Sequence, residues 1–112
     1  MEYILEQEFF YNLNIVYDEN TKVVSLANFV PPEKMFNETY AHRASMSITM
    51  QNANKKLSED IKKEINPKSV LEIGSNDGVF LKNFSNILSI GVEPCKNLAK
   101  ITTSMNIKTY DQ

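Results

Sequence analysis

Val70-Leu71-Glu72-Ile73-Gly74-Ser75-Asn76-Asp77-Gly78, followed by Gly91-Val92-Glu93-Pro94, is the stretch that decides the fold. A short apolar run ends on a glycine turn, and a second apolar run ends on a carboxylate. Glu93 follows Gly74 by 19 residues, about one β-α-β step. An open α/β sheet holds a nucleoside in this way: the turn lets backbone approach the ligand, and the acid ending the next strand takes the ribose hydroxyls.

Working outward, the second half alternates crisply. Ser69–Ile73 reads as a strand, 74–78 as a turn, Val79–Phe84 as a helix and Leu88–Glu93 as a strand. Pro94 opens a further helix with Leu98, Ile101, Thr102 and Met105 on its buried side, and Ile107–Tyr110 begins a third strand. Such a series implies a parallel sheet.

Upstream, Met46, Met50, Ala53, Leu57, Ile61 and Ile65 recur at spacings of three and four, predicting a long helix from about Ser45 to Ile65 whose apolar stripe is core. Asn66-Pro67 stops it. Residues 7–30 alternate partially, from Phe9 through Ile15 and Tyr17, and return through Val23 and Val24 after a turn at Asp18-Glu19-Asn20-Thr21. That pattern predicts a hairpin, and Pro32 suits the first position of a short helix. The fold class is therefore α/β: an N-terminal β-hairpin and a long helix leading into about three strands of an incomplete Rossmann-like parallel sheet. Residues 1–44 are expected to form a hairpin module and linker, and 45–112 the long helix with the first half of the sheet domain.

Composition narrows the function. The 112 residues carry a net charge of -2 and a pI near 5.4, which argues against a nucleic-acid surface. The lysine pairs, such as Lys55-Lys56 and Lys62-Lys63, read as solvated helix faces. Cys95 is the single cysteine and His42 the single histidine, so neither a disulfide nor a multi-cysteine zinc site can form within the chain. No run approaches the roughly 18–20 apolar residues of a membrane span. Met1–Glu6 is acidic and lacks a signal-peptide layout. A soluble, reducing, cytoplasmic setting is expected.

Each candidate residue has an ordinary reading beside the functional one. Gly74 either admits a ligand to the backbone or simply makes a turn. A strict dinucleotide fingerprint wants glycine at positions 76 and 79, which hold Asn76 and Val79. Close pyrophosphate contact is disfavoured, whereas S-adenosylmethionine (SAM), with a sulfonium and an amino-acid tail, tolerates Asn or Asp there. Glu72 suits the cationic amino group of such a ligand, and Glu93 suits vicinal ribose hydroxyls through its two acceptor oxygens. Without a ligand, Glu72 is an N-terminal-turn carboxylate and Glu93 a surface acid before a proline. Cys95 reads as a small, semi-buried residue in preference to a nucleophile, and His42, flanked by Tyr40 and Arg43, has no evident partner as a base.

These residues carry a resemblance. The quoted stretch with Asn97, and the segment Pro32-Glu33-Lys34-Met35-Phe36-Asn37-Glu38-Thr39-Tyr40-Ala41-His42-Arg43-Ala44-Ser45, resemble the SAM-dependent sugar C-methyltransferases that act on nucleotide-linked deoxysugars. The likeness covers roughly residues 10 to 110. It implies a site in which Glu72, Gly74, Ser75, Asn76, Asp77, Gly78, Glu93 and Pro94 bind the cofactor, Gly74, Asn76 and Asp77 lying along its methionine and ribose side. Tyr40 would face the reacting region. Those enzymes abstract a proton beside a keto group and let the carbanion attack the sulfonium methyl. The family begins with a zinc module on paired cysteines; here Asp18 and Thr21 stand about where one pair is expected, so no zinc is expected and the hairpin must hold by packing alone.

The chain reaches Gln112 soon after its third strand. The resemblance therefore implies an N-terminal portion of a methyltransferase, inactive alone, with base and acceptor domain elsewhere. A non-catalytic interaction module, self-associating or pairing with another chain through the open sheet edge, is the competing reading; an NAD-type oxidoreductase is the weakest.

Overall fold

The computed structural model describes residues 10–111, and the chain divides into two units, Met1–Met35 and Phe36–Gln112. Phe9 and the N-terminal acidic stretch lie outside the described residues. The division falls earlier than the boundary expected at residue 45, so residues 36–44 belong with the sheet domain.

In the first unit, β1 (Ile15–Tyr17) and β2 (Val24–Leu26) pair antiparallel, with Ile15 opposite Leu26 and Tyr17 opposite Val24. The turn organises itself around Asp18, whose Oδ1 accepts the N–H groups of Asn20 at 2.8 Å and Thr21 at 2.9 Å. These bonds hold the Asp18 carboxyl below its usual pKa. Packing was expected to hold the hairpin, yet Ile15, Val16 and Tyr17 are exposed, so the side chain of Asp18 does locally what burial does not. A four-residue helix, α1 (Pro32–Met35), follows.

The second unit begins irregularly. A 3-10 turn at Ala44–Met46 leads to α2 (Ile48–Glu64). Ser47 caps α2 by accepting the Met50 N–H, and Asn66, at φ 48°, ends it before Pro67. The helix is where the periodicity placed it, but the stripe is not core. Met46, Met50, Leu57 and Ile65 are exposed, while Ser58 is buried and Gln51, Asn54 and Ile61 are half-buried. Polar bonds set this rotation: Gln51 Nε2 donates to the Ser45 carbonyl, and Lys62 Nζ donates to the Asn83 carbonyl and lies over the Phe84 ring.

β3 (Ser69–Ile73), β4 (Leu88–Val92) and β5 (Lys108–Tyr110) form a parallel sheet in that order, as expected. Glu72 stands opposite Gly91, and Gly91 opposite Thr109. The predicted helix over Val79–Phe84 is instead a short 3-10 turn, Leu81–Phe84. Asn83 Nδ2 donates back to the carbonyls of Val79 and Phe80, closing the turn before a helix can extend. α3 (Lys96–Ser104) begins two residues after Pro94 and buries Leu98, Ala99 and Thr102; Ile101 is half-buried and Met105 exposed.

The core lies on one face of the sheet, where Val79, Leu81, Phe84, Leu98 and Ile107 are buried. On the other face Leu71 is 63% and Ile73 81% exposed, so among the described residues that face is uncovered. Parallel sheets are ordinarily covered on both faces.

Gly78 ties the turn to this core. Its φ is 76°, and a Cβ there would come within 2.9 Å of Thr102 Cγ2. Gly78→Ala should therefore lower stability by about 2 kcal/mol or more. Thr102→Ser, which removes Cγ2 and keeps the hydroxyl, should recover part of the loss. Urea unfolding of the two single variants and the double variant checks this coupling.

Candidate functional site

The C-terminal ends of β3 and β4 open into a cavity of about 460 Å³ lined by Phe36, Tyr40, Ile73, Gly74, Asn76, Val92, Glu93 and Pro94. Ligands in open α/β sheets bind at this end of the strands. The floor is apolar and the rim carries few polar groups, as small-molecule sites usually do.

Glu93 is the charged group of the cavity. It is only 5% exposed, and its Oε2 accepts the Asn76 N–H at 2.7 Å while Oε1 accepts the Cys95 N–H at 2.8 Å. Each oxygen thus has one backbone donor, and the Cys95 thiol adds a side-chain hydrogen bond to the same carboxylate. The carboxylate is oriented before any ligand arrives.

The turn spends its own donors internally. Gly74 and Ser75 N–H both donate to the Val92 carbonyl, Asn76 N–H to Glu93, and Gly78 N–H to the Ser75 carbonyl. The N–H groups that an anion would need are thus largely committed. Gly74, at φ 74°, has open space where a Cβ would stand, so the ligand side of the turn is clear.

Asn76 is the hub of the site. Its φ of 49° is the left-handed region, which Asn tolerates better than most residues. Its Oδ1 accepts the Ala44 N–H at 2.8 Å, Nδ2 donates to the His42 carbonyl, and its own carbonyl accepts from Thr102 Oγ1 at 3.1 Å. Asp77, fully buried, faces the same segment: it accepts from Ser45 N–H, from Ser45 Oγ at 2.5 Å and from Arg43 Nε at 3.4 Å.

Of the candidate cofactor residues, then, Gly74, Asn76, Glu93 and Pro94 line the cavity together with Tyr40. Glu72, Ser75, Asp77 and Gly78 do not line it. Phe36, Ile73 and Val92 complete the lining and were not singled out as site residues, although Phe36 lay in the segment that carried the resemblance. His42 is exposed, with its ring centroid 6.3 Å from that of Tyr40.

Two groups have clear electrostatic histories. Burial, reinforced by the charge of Glu93, raises the Glu72 carboxyl from the usual 4.5 to about 7. Its Oε2 is buried without a partner, as is Ser75 Oγ. Burial, with Glu93 close by, raises the Cys95 thiol to about 11, so this cysteine is a packed, protonated side chain.

No known protein-family model matches the chain, and no curated protein matches its sequence.

Between about pH 4.5 and 7 folded Glu72 holds a proton that the unfolded chain has released, so stability should fall as pH rises through that window. Glu72→Gln should flatten the fall and raise Tm at about pH 8, as thermal unfolding across pH will show. Cys95 should react with a thiol reagent such as Ellman's only as fast as the protein unfolds, and stopped-flow labelling with and without urea measures this.

Proposed function

We propose that the unit from Phe36 onward binds SAM and belongs to methyl-transfer chemistry of the sugar C-methyltransferase type. One observation carries the reading: a buried carboxylate, Glu93, ends β4 at the cavity with each oxygen anchored and oriented by one backbone N–H. Two adjacent hydroxyl donors satisfy such a group, and ribose supplies them.

The surroundings fit the rest of the cofactor. Ile73 and Val92 offer apolar floor, Phe36 and Tyr40 an aromatic wall, and Gly74 leaves room for the amino-acid tail. The committed N–H groups of the turn favour a ligand without a pyrophosphate, which speaks against the dinucleotide alternative. SAM supplies an electrophilic methyl on sulfur. This chain's residues would hold the ribose at Glu93 and shield the sulfonium side with Tyr40. A nucleotide-linked sugar is the acceptor class the resemblance implies, in a cytoplasmic setting; among the described residues no helix is long and apolar enough to cross a membrane. No residue here is assigned as the base, and activity would require base and acceptor-holding groups in addition to this site.

A second reading has its own support. Among the described residues, the uncovered sheet face, with Leu71 and Ile73 exposed, and the unpaired edges of β3 and β5 favour an assembly role. Sedimentation velocity showing self-association without nucleoside binding would favour it.

Isothermal titration with S-adenosylhomocysteine tests the first reading. Binding is expected, with little response to NADH. Glu93→Gln should weaken it by roughly ten- to a hundredfold, the scale of one or two hydrogen bonds to a charged group. The variant should also lose the preference for ribose over 2′-deoxyribose in adenosine analogues. Wild-type binding that ignores the 2′-hydroxyl would sink the ribose assignment.

A further inference from the structure

Within its own stretch of chain the aromatic wall of the cavity is held by a short turn, in which Asn37 Oδ1 accepts from the N–H and Oγ1 of Thr39. Tyr40 lies between α1 and the 3-10 turn at Ala44–Met46, in neither helix nor strand, and its N–H reaches only the nearby Asn37 carbonyl at 3.1 Å. Further bonds to the segment come from the rest of the unit. Asp77 holds Ser45, Asn76 holds Ala44 and His42, and Asn97 Nδ2 donates to the Tyr40 carbonyl at 2.8 Å across 57 residues of sequence.

Asn97 is the least accounted for of these. It stands in the first turn of α3, yet its amide does not cap that helix; the N-cap, Cys95, makes no side-chain cap bond either. It does not line the cavity. Its side-chain Nδ2 donates to the backbone of the residue whose ring does line it, its Oδ1 is buried without a partner, and that ring's centroid lies 5.6 Å from that of Phe36 and 6.3 Å from that of His42. Asn76 and Asp77 secure the end of the segment nearer α2; Asn97 secures the aromatic residue itself.

We propose that Asn97 is a positioning residue: it touches no ligand, and it holds Tyr40 in place as the aromatic wall of the nucleoside cavity. The consequence is pre-organisation. A loop held at Tyr40 before binding spares the ordering cost that a free loop would impose on the complex. The role of the cavity rests on the SAM reading above; the restraint on Tyr40 does not.

A double-variant cycle with S-adenosylhomocysteine and amide hydrogen exchange on the ligand-free full chain test the two parts separately. Asn97→Leu, close in size and without a donor, should weaken binding roughly tenfold. In a Tyr40→Ala background it should cost nothing further, because Asn97 acts through Tyr40. A merely structural residue would impose the same loss in both backgrounds. In exchange, Asn97→Leu should speed residues 39–42 and leave the Ala44 and Ser45 amides protected, which also certifies that the variant is folded. If those two amides lose protection as well, Asn97→Asp, which keeps the shape and removes the donor, replaces it. Wild-type affinity in a folded variant, an undiminished penalty without the Tyr40 ring, or unchanged exchange at 39–42 overturns the proposal. If the wild-type chain binds no S-adenosylhomocysteine, the SAM reading falls and the exchange result alone decides whether Asn97 restrains Tyr40.

Discussion

Asn76 is one residue held from four sides. Its N–H reaches Glu93, its carbonyl accepts from Thr102 on α3, and its side-chain amide takes the Ala44 N–H and the His42 carbonyl. The strand ends, the helix behind them and the segment in front are thereby joined at one peptide. A left-handed backbone at a non-glycine residue costs about 1–2 kcal/mol and persists where its surroundings over-determine it. Here that conformation lets a single amide side chain face the incoming segment while its peptide faces the sheet. Without it, the carboxylate of Glu93 would lose a donor and the residues before α2 would lose their seat.

The same economy explains the electrostatics. Two carboxylates, Glu93 and Asp77, are buried beside the turn, and each receives backbone N–H donors. Glu72, on the neighbouring strand, receives none at Oε2 and faces the field of Glu93, so burial shifts its titration to near neutrality.

Much of this was legible in the sequence, and the failures have a common cause. The three strands, the glycine turn and the acid at the end of β4 were readable because each depends on neighbours a few residues away. The apolar stripe of α2 was read correctly as a helix period and wrongly as core. Periodicity reveals that a helix has two sides; it does not say which side finds a partner, and the polar bonds of Gln51 and Lys62 turned Ser58 inward. The helix predicted over Val79–Phe84 gave way to a 3-10 turn because Asn83 bonds its own preceding carbonyls. The hairpin, expected to rest on packing, instead closes on the carboxylate of Asp18.

By itself the sequence determined the α/β order, the position of the turn and the acid that faces the cavity, because spacing along one β-α-β step places a strand end and the next strand end side by side. Only the tertiary structure separated lining residues from supporting ones. Asp77 and Asn97 bond to residues 32 and 57 positions away, and hydrogen bonds at that range leave no local pattern in composition or periodicity. Whether a polar side chain touches a ligand or holds the chain that does is decided by which groups the fold brings within 3 Å, and a linear sequence does not carry that distance.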